Sequence, residues 1–93
     1  MLTKEEFKEE VMRLAKELRL EPKEIHIRKM SKKWASCSSK GRLTFDPSIL
    51  DLSGRDRAEI VLHELIHLRY PNHGKMFNLM LNTHLSKTTS EQV

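Results

Sequence analysis

His63-Glu64-Leu65-Ile66-His67, followed by Pro71-Asn72-His73, is the stretch from which this chain is best read. It is an H-E-x-x-H motif with a third histidine six residues after the second. On a helix, residues i and i+4 differ by roughly 40° around the axis and by ~6 Å along it. Both imidazoles can therefore reach one metal ion from the same helical face. Glu64 lies beside them, where a carboxylate can take a proton from metal-bound water. Pro71 stops the helix, so the chain can turn back and offer His73 as a third nitrogen. Three protein ligands with one open position is the arrangement of catalytic zinc, whereas a structural zinc site has four protein ligands. Without a metal, His63 and His67 would be partly buried helix residues and Glu64 a solvated charge. His73 at its spacing favours the metal reading. Iron, cobalt or nickel can also occupy a three-histidine site, and spacing does not separate them from zinc.

The elements around the motif follow from periodicity and caps. Ser53 and Asp56 have the spacing of a capping box and start a helix expected over about 54–69. Ala58, Val61, Leu62, Leu65 and Leu68 form its buried stripe, with His63 and His67 on an adjacent face. Asn72-His73-Gly74 connects to a last helix expected over about 75–86, with Phe77, Met80, Leu81 and Leu85 inward. The polar residues 87–93 are expected to fray. At the other end, Thr3 and Glu6 form a capping box, and Leu2 with Phe7 a hydrophobic staple. Phe7, Val11, Leu14 and Leu18 then make one apolar stripe, and Pro22 limits that helix.

The middle of the chain reads as β structure. Alternation around Ile25 and Ile27 predicts a strand at 24–30, Trp34–Cys37 a second, and Leu43–Phe45 a third. Ser38-Ser39-Lys40-Gly41 makes a turn between the last two, so they are expected to form a hairpin. Pro47 ends the third strand, with a short turn or helix at 47–51. The expectation is one α+β domain over residues 1–93.

Composition narrows the classes. Hydrophobic residues are 38% of the 93, and no internal repeat occurs, so the core is modest. No run of about 18 apolar residues exists to span a membrane. The first residues are too acidic for a signal peptide. Cys37 is the only cysteine, which precludes an internal disulfide and suits a reducing cytoplasm. The net charge is +4. Arg28, Lys29, Lys32, Lys33, Lys40 and Arg42 concentrate part of it in segment 28–42, which can attract nucleic acid or an acidic substrate. An ordinary lysine-rich surface explains the same charge. With only Trp34 and Phe45 nearby, a base-stacking platform has little support.

Zinc at His63, His67 and His73 would lower the pKa of its water and polarise a substrate carbonyl. Glu64 would accept the water proton and then deliver a proton to the leaving amine, which is the chemistry of peptide hydrolysis. Tyr70, Arg69, Arg42 and Ser36 are sources for an oxyanion donor, none distinguished by spacing. Asn72 and Asp46 are candidates to hold the imidazoles through their other nitrogens. His26 and His84 read as structural or exposed. Cys37 reads either as a small buried residue or as a soft fourth ligand that would close the site.

Two blocks carry a family resemblance. Trp34-Ala35-Ser36-Cys37-Ser38-Ser39-Lys40-Gly41-Arg42-Leu43 resembles the W-G-S-C-S-S-K-G-x-[IL] segment of YgjP-like metallopeptidases. The block from His63 to Gly74 resembles their H-E-L-x-H-L-x-x-P-N-H stretch, and Phe77 a later aromatic. Ala35 stands in place of the usual Gly, and Asn78 in place of a Trp. This family is similar to the WLM and SprT-like zincin proteases. The resemblance implies zinc at His63, His67 and His73, with Glu64 as the catalytic residue. It also implies a minimal zincin-like α+β fold in which a strand flanks the cleft and an extended peptide adds along its edge. The metzincin pattern is rejected, because it requires Gly where this chain has Tyr70.

The expectation is thus a cytoplasmic zinc-dependent peptidase acting on a peptide or protein substrate. The rivals are a nucleic-acid-associated SprT-like protease or binding module, and a non-catalytic metal-stabilised interaction domain.

Overall fold

The computed structural model describes residues 2–91, and side chains through Leu85. The elements are α1 (Lys4–Glu17), β1 (Glu24–Ile27), β2 (Ala35–Cys37), β3 (Arg42–Phe45), a 3-10 segment (Pro47–Asp51), α2 (Gly54–Ile66) and α3 (Lys75–Glu91). The α+β expectation holds, including the hairpin.

α1 starts at the predicted capping box. The Glu6 N–H donates to the Thr3 hydroxyl at 3.1 Å, and the Thr3 N–H donates to the Glu6 carboxylate at 3.0 Å. Its stripe of Phe7, Val11, Leu14 and Leu18 is buried. The helix stops before Pro22 because Arg19 turns left-handed, with φ 59°. The Leu20 N–H then donates to the Ala15 carbonyl at 2.9 Å and the Arg19 N–H to the Lys16 carbonyl at 3.1 Å. That pair of bonds is the Schellman closure, which normally carries Gly at the left-handed position.

The sheet has the order β1-β3-β2. β3 pairs antiparallel with β2 and parallel with β1. Gly41, at φ 88°, makes the hairpin turn, where a Cβ would meet Lys23 Cγ at 3.2 Å. Central β3 buries Leu43, Thr44 and Phe45. β1 is shorter than the predicted 24–30. After the Arg28 N–H reaches the Phe45 carbonyl at 2.9 Å, β3 has run out at Pro47. The Asp46 carboxylate takes over, accepting from the Met30 N–H at 2.8 Å and the Ser48 N–H at 3.0 Å. The segment leaving β1 and the 3-10 segment are thereby tied to one side chain.

α2 is the central helix, packed against α1, α3 and β2. Phe7 of α1 meets Phe45 of β3 edge to face at 5.0 Å between ring centroids. Arg57 ties α2 to α1 through Glu10 at 3.1 and 3.3 Å, and it also donates to the Leu52 carbonyl at 2.9 Å. At the start of α2, the Ser53 hydroxyl accepts from the Asp56 N–H at 3.2 Å. The helix ends at Ile66, three residues short of the expected 69, where 3-10 bonds tighten the turn. The Leu68 and Arg69 N–H groups donate to the Leu65 and Ile66 carbonyls, both at 3.0 Å. α3 passes the expected end at 86 and continues to Glu91. Neither Gly nor Pro follows Leu85 to stop it. The expected frayed tail of 87–93 therefore begins inside the helix, and residues 92 and 93 lie outside the described residues. Among the described residues no helix is long and apolar enough to cross a membrane.

Candidate metal centre

His63 on α2 and His67, the C-cap residue just past it, stand one turn apart, and His73 returns to them from the loop between α2 and α3. Each offers one ring nitrogen, and the three nitrogens lie within 4.8 Å of one another. Among the described residues no fourth His, Cys, Asp or Glu joins this cluster. Nε2 of His67 and Nε2 of His73 are 2.9 Å apart. Two ring nitrogens attract at that distance only if one carries a proton or a cation lies between them.

The other nitrogens are held by neighbours. His67 Nδ1 lies 3.3 Å from the Tyr70 carbonyl. A carbonyl oxygen only accepts, so this bond places the proton on Nδ1 and leaves the Nε2 lone pair to face the cluster. The tight turn after α2 brings that carbonyl back under the ring. His63 Nδ1 is 3.1 Å from the Glu64 carboxylate. Glu64 is only 8% exposed, although the two grooves described below reach it, so it is not the solvated charge of the metal-free reading. Asp46 and Asn72, candidates for holding the imidazoles, do neither. Asp46 is committed to Met30 and Ser48, and Asn72 bonds no imidazole among the described residues.

Phe77 of α3 closes the site from below. Its ring, 2% exposed, lies 5.1, 4.7 and 4.8 Å from the rings of His63, His67 and His73. The sequence placed Phe77 inward, but not under all three imidazoles. Its position in the first turn of α3, just past the His73 loop, was the available clue.

The donor set fits a small transition-metal ion. Tetrahedral zinc with Zn–N bonds of ~2.0–2.1 Å holds its nitrogens about 3.3 Å apart. The separations here, 2.9 Å for one pair and none beyond 4.8 Å, bracket that value. Cys37 is not a member. Its thiol donates to the Ser38 carbonyl at 3.6 Å. Burial first, and the Glu64 charge second, push the thiol up from its ordinary range, away from the thiolate a metal needs.

Two adjoining grooves share Ala35, His63 and Glu64. One, of about 500 Å³, also has Trp34, Leu52, Asp56, Glu59 and Ile60 in its walls. The other, of about 520 Å³, continues past Ser36, Cys37 and Ser38 to His67 and Pro71. β2 forms one rim of both and, among the described residues, is paired only on its β3 side. Of the oxyanion candidates, Ser36 lines this cleft. Arg42 is held on the sheet by Glu24, 2.6 Å away. Arg69 is exposed on the turn, and Tyr70 contributes its carbonyl. His26 is exposed on β1, the opposite edge of the sheet, and partly buried His84 is on α3. Neither belongs to the cluster. The cations of segment 28–42 are exposed and build no enclosed phosphate site among the described residues.

Sheet, central helix and histidine cluster together have the fold of small metallopeptidases. The chain belongs to the YgjP-like family, whose metallopeptidase domain it matches over residues 2–92. It is similar to the crystal structure of the metallopeptidase zymogen of Methanocaldococcus jannaschii jannalysin, with 28% identity and a TM-score of 0.78, covering 92% of this chain and 88% of that one. It shares the fold of the metallopeptidase zymogen of Pyrococcus abyssi abylysin at 20% identity, with a TM-score of 0.74 and 94% of each chain covered. No curated protein matches its sequence significantly.

Proposed function

We propose that this chain is a zinc-dependent peptidase whose metal is held by His63, His67 and His73 and whose proton-transfer group is Glu64. The carrying observation is the convergence of three imidazole nitrogens within 4.8 Å, beside a mostly buried carboxylate, in a cleft rimmed by a strand edge. Zinc bound there supplies Lewis acidity for a substrate carbonyl and acidifies water.

The chain's own groups do the rest. The free edge of β2 can pair with an extended peptide and set its register across the cleft. The Tyr70 carbonyl orients His67, and Phe77 prevents the three rings from turning away. Glu64 accepts a proton from the attacking water at its carboxylate and passes it to the leaving amine. Water enters freely because the cleft is open, and the low exposure of Glu64 strengthens its local electrostatics.

The test is metal content by elemental mass spectrometry, coupled to a peptide screen. Wild type should carry near-stoichiometric zinc, lost in His63→Ala, His67→Ala and His73→Ala. Glu64→Gln should keep zinc and lose hydrolysis, so equal activity in that variant would sink the mechanism. The jannalysin and abylysin structures are of zymogens, so the screen should include protein after limited proteolysis. A cluster with no fourth ligand among the described residues argues for catalysis over a purely metal-stabilised interaction domain.

A further inference from the structure

We propose that the groove toward the N-terminal end of α2 is a subsite for a basic side chain, lysine or arginine, of the peptide. This deepens the peptidase reading and rests on it.

The two grooves are chemically unlike. Beyond the shared residues, one runs past serines 36, 38 and 39 and Lys33. The other is lined by apolar Trp34, Leu52 and Ile60 together with Asp56 and Glu59. Trp34 is 54% exposed, a large indole surface on the cleft that no element of the described chain covers. Asp56 and Glu59 bond to no Lys or Arg among the described residues, whereas Glu10, Glu17 and Glu24 each have an arginine. The groove therefore combines a surface for an aliphatic stem with two carboxylates for a cation at its end.

Helix geometry sets the reach. Asp56, Glu59 and Ile60 precede His63 by seven, four and three residues, which places them on one stripe. Glu59 then lies ~6 Å and Asp56 ~10 Å along the axis from His63. An extended peptide advances ~3.3 Å per residue. A lysine or arginine one or two residues from the scissile bond spans this interval. Its stem would lie on Trp34 and Ile60, its charge would reach Glu59, and the indole face adds a cation–π contact. An acidic side chain would meet two like charges.

The whole chain carries +4, so long-range attraction favours acidic peptides. The local groove demands the opposite preference, and this separates the subsite from a general charge effect.

Trp34 is the only tryptophan, so its fluorescence reads this groove directly. Zinc-loaded protein is titrated with capped Ala-Gly hexapeptides carrying one lysine, norleucine or glutamate at a central position. The lysine peptide should bind about fivefold more tightly than the norleucine peptide, the scale of an exposed charge pair. Asp56→Asn combined with Glu59→Gln should erase that preference and leave norleucine binding unchanged, with thermal melting confirming the fold. Glu59→Gln alone should remove most of the preference. No lysine preference, tighter glutamate binding, a preference that survives the double substitution, or no response of Trp34 to any peptide would each overturn the subsite. Cleavage of the same peptides separates the two ideas. Hydrolysis without lysine preference removes the subsite and keeps the peptidase. Lysine-selective Trp34 quenching without hydrolysis, even after limited proteolysis, removes the peptidase reading and keeps the subsite.

Discussion

The ring of Phe77 on α3 lies 4.7 Å from the ring of His67 at the C-cap of α2, with the two planes tilted by 43°. A core side chain is therefore also the floor of the histidine cluster. Packing of α3 on α2 and orientation of the imidazoles are one contact.

Phe77→Leu keeps an apolar side chain of nearby size but removes the ring surface under the imidazoles. Zinc affinity should fall by at least about tenfold, the scale of losing a group that orients a ligand. Melting should change modestly, by about 1 kcal/mol. Chelator competition and thermal melting measure both. An unchanged affinity with a lowered melting temperature would reduce Phe77 to a packing residue.

Asp46 joins the segment after β1 to the 3-10 segment, and its carboxyl is held down at about 2, by the Met30 N–H above all and then by Ser48. Such a carboxyl binds its proton more weakly folded than unfolded. Its contribution is complete above the unfolded value near 3.8 and disappears as pH falls through about 2. Asp46→Asn should flatten the decline of stability between those values, read by urea unfolding at stepped pH. A decline of unchanged steepness would place the acid sensitivity elsewhere.

Arg57 and Glu10 form the least exposed ion pair with an arginine among the described residues, at 13% and 17% side-chain exposure. Arg57→Ala leaves the Glu10 carboxylate and the Leu52 carbonyl without that partner. The cost should be about 3 kcal/mol. Adding Glu10→Gln should recover part of it, and a double-mutant cycle gives the coupling.

Arg19 occupies a left-handed position that glycine fills without a Cβ clash. Arg19→Gly should stabilise the chain by about 1 kcal/mol, with no change in metal content. A lower melting temperature would mean that the arginine side chain contributes more than its backbone strain costs.

Local regularity made much of this legible in the sequence. The capping residues at Thr3 and Ser53, the apolar stripe of α1, that of α2 from Ala58 to Leu65 though not Leu68, which lies past the helix end, and the hairpin across Gly41 each depend on neighbours within a few residues. So does the approach of His63, His67 and His73. What escaped depends on distant partners or on backbone conformation. The parallel pairing of β1 with β3 skips a strand. The stop at Arg19 uses a left-handed turn without glycine, and the end of α2 comes from 3-10 tightening ahead of Pro71. Tyr70 serves through a carbonyl, which side-chain identity does not advertise. Phe77 owes its place to the fold of α3 against α2.

All three imidazoles fall within residues 63–73, a span of eleven residues. Closing so short a loop around an ion costs little chain entropy. The cleft walls, by contrast, need β2 brought in beside α2, and the floor needs Phe77 of α3. An ion held there would therefore cross-link the end of α2 to the turn just after it, a local staple rather than a tie between distant parts of the chain.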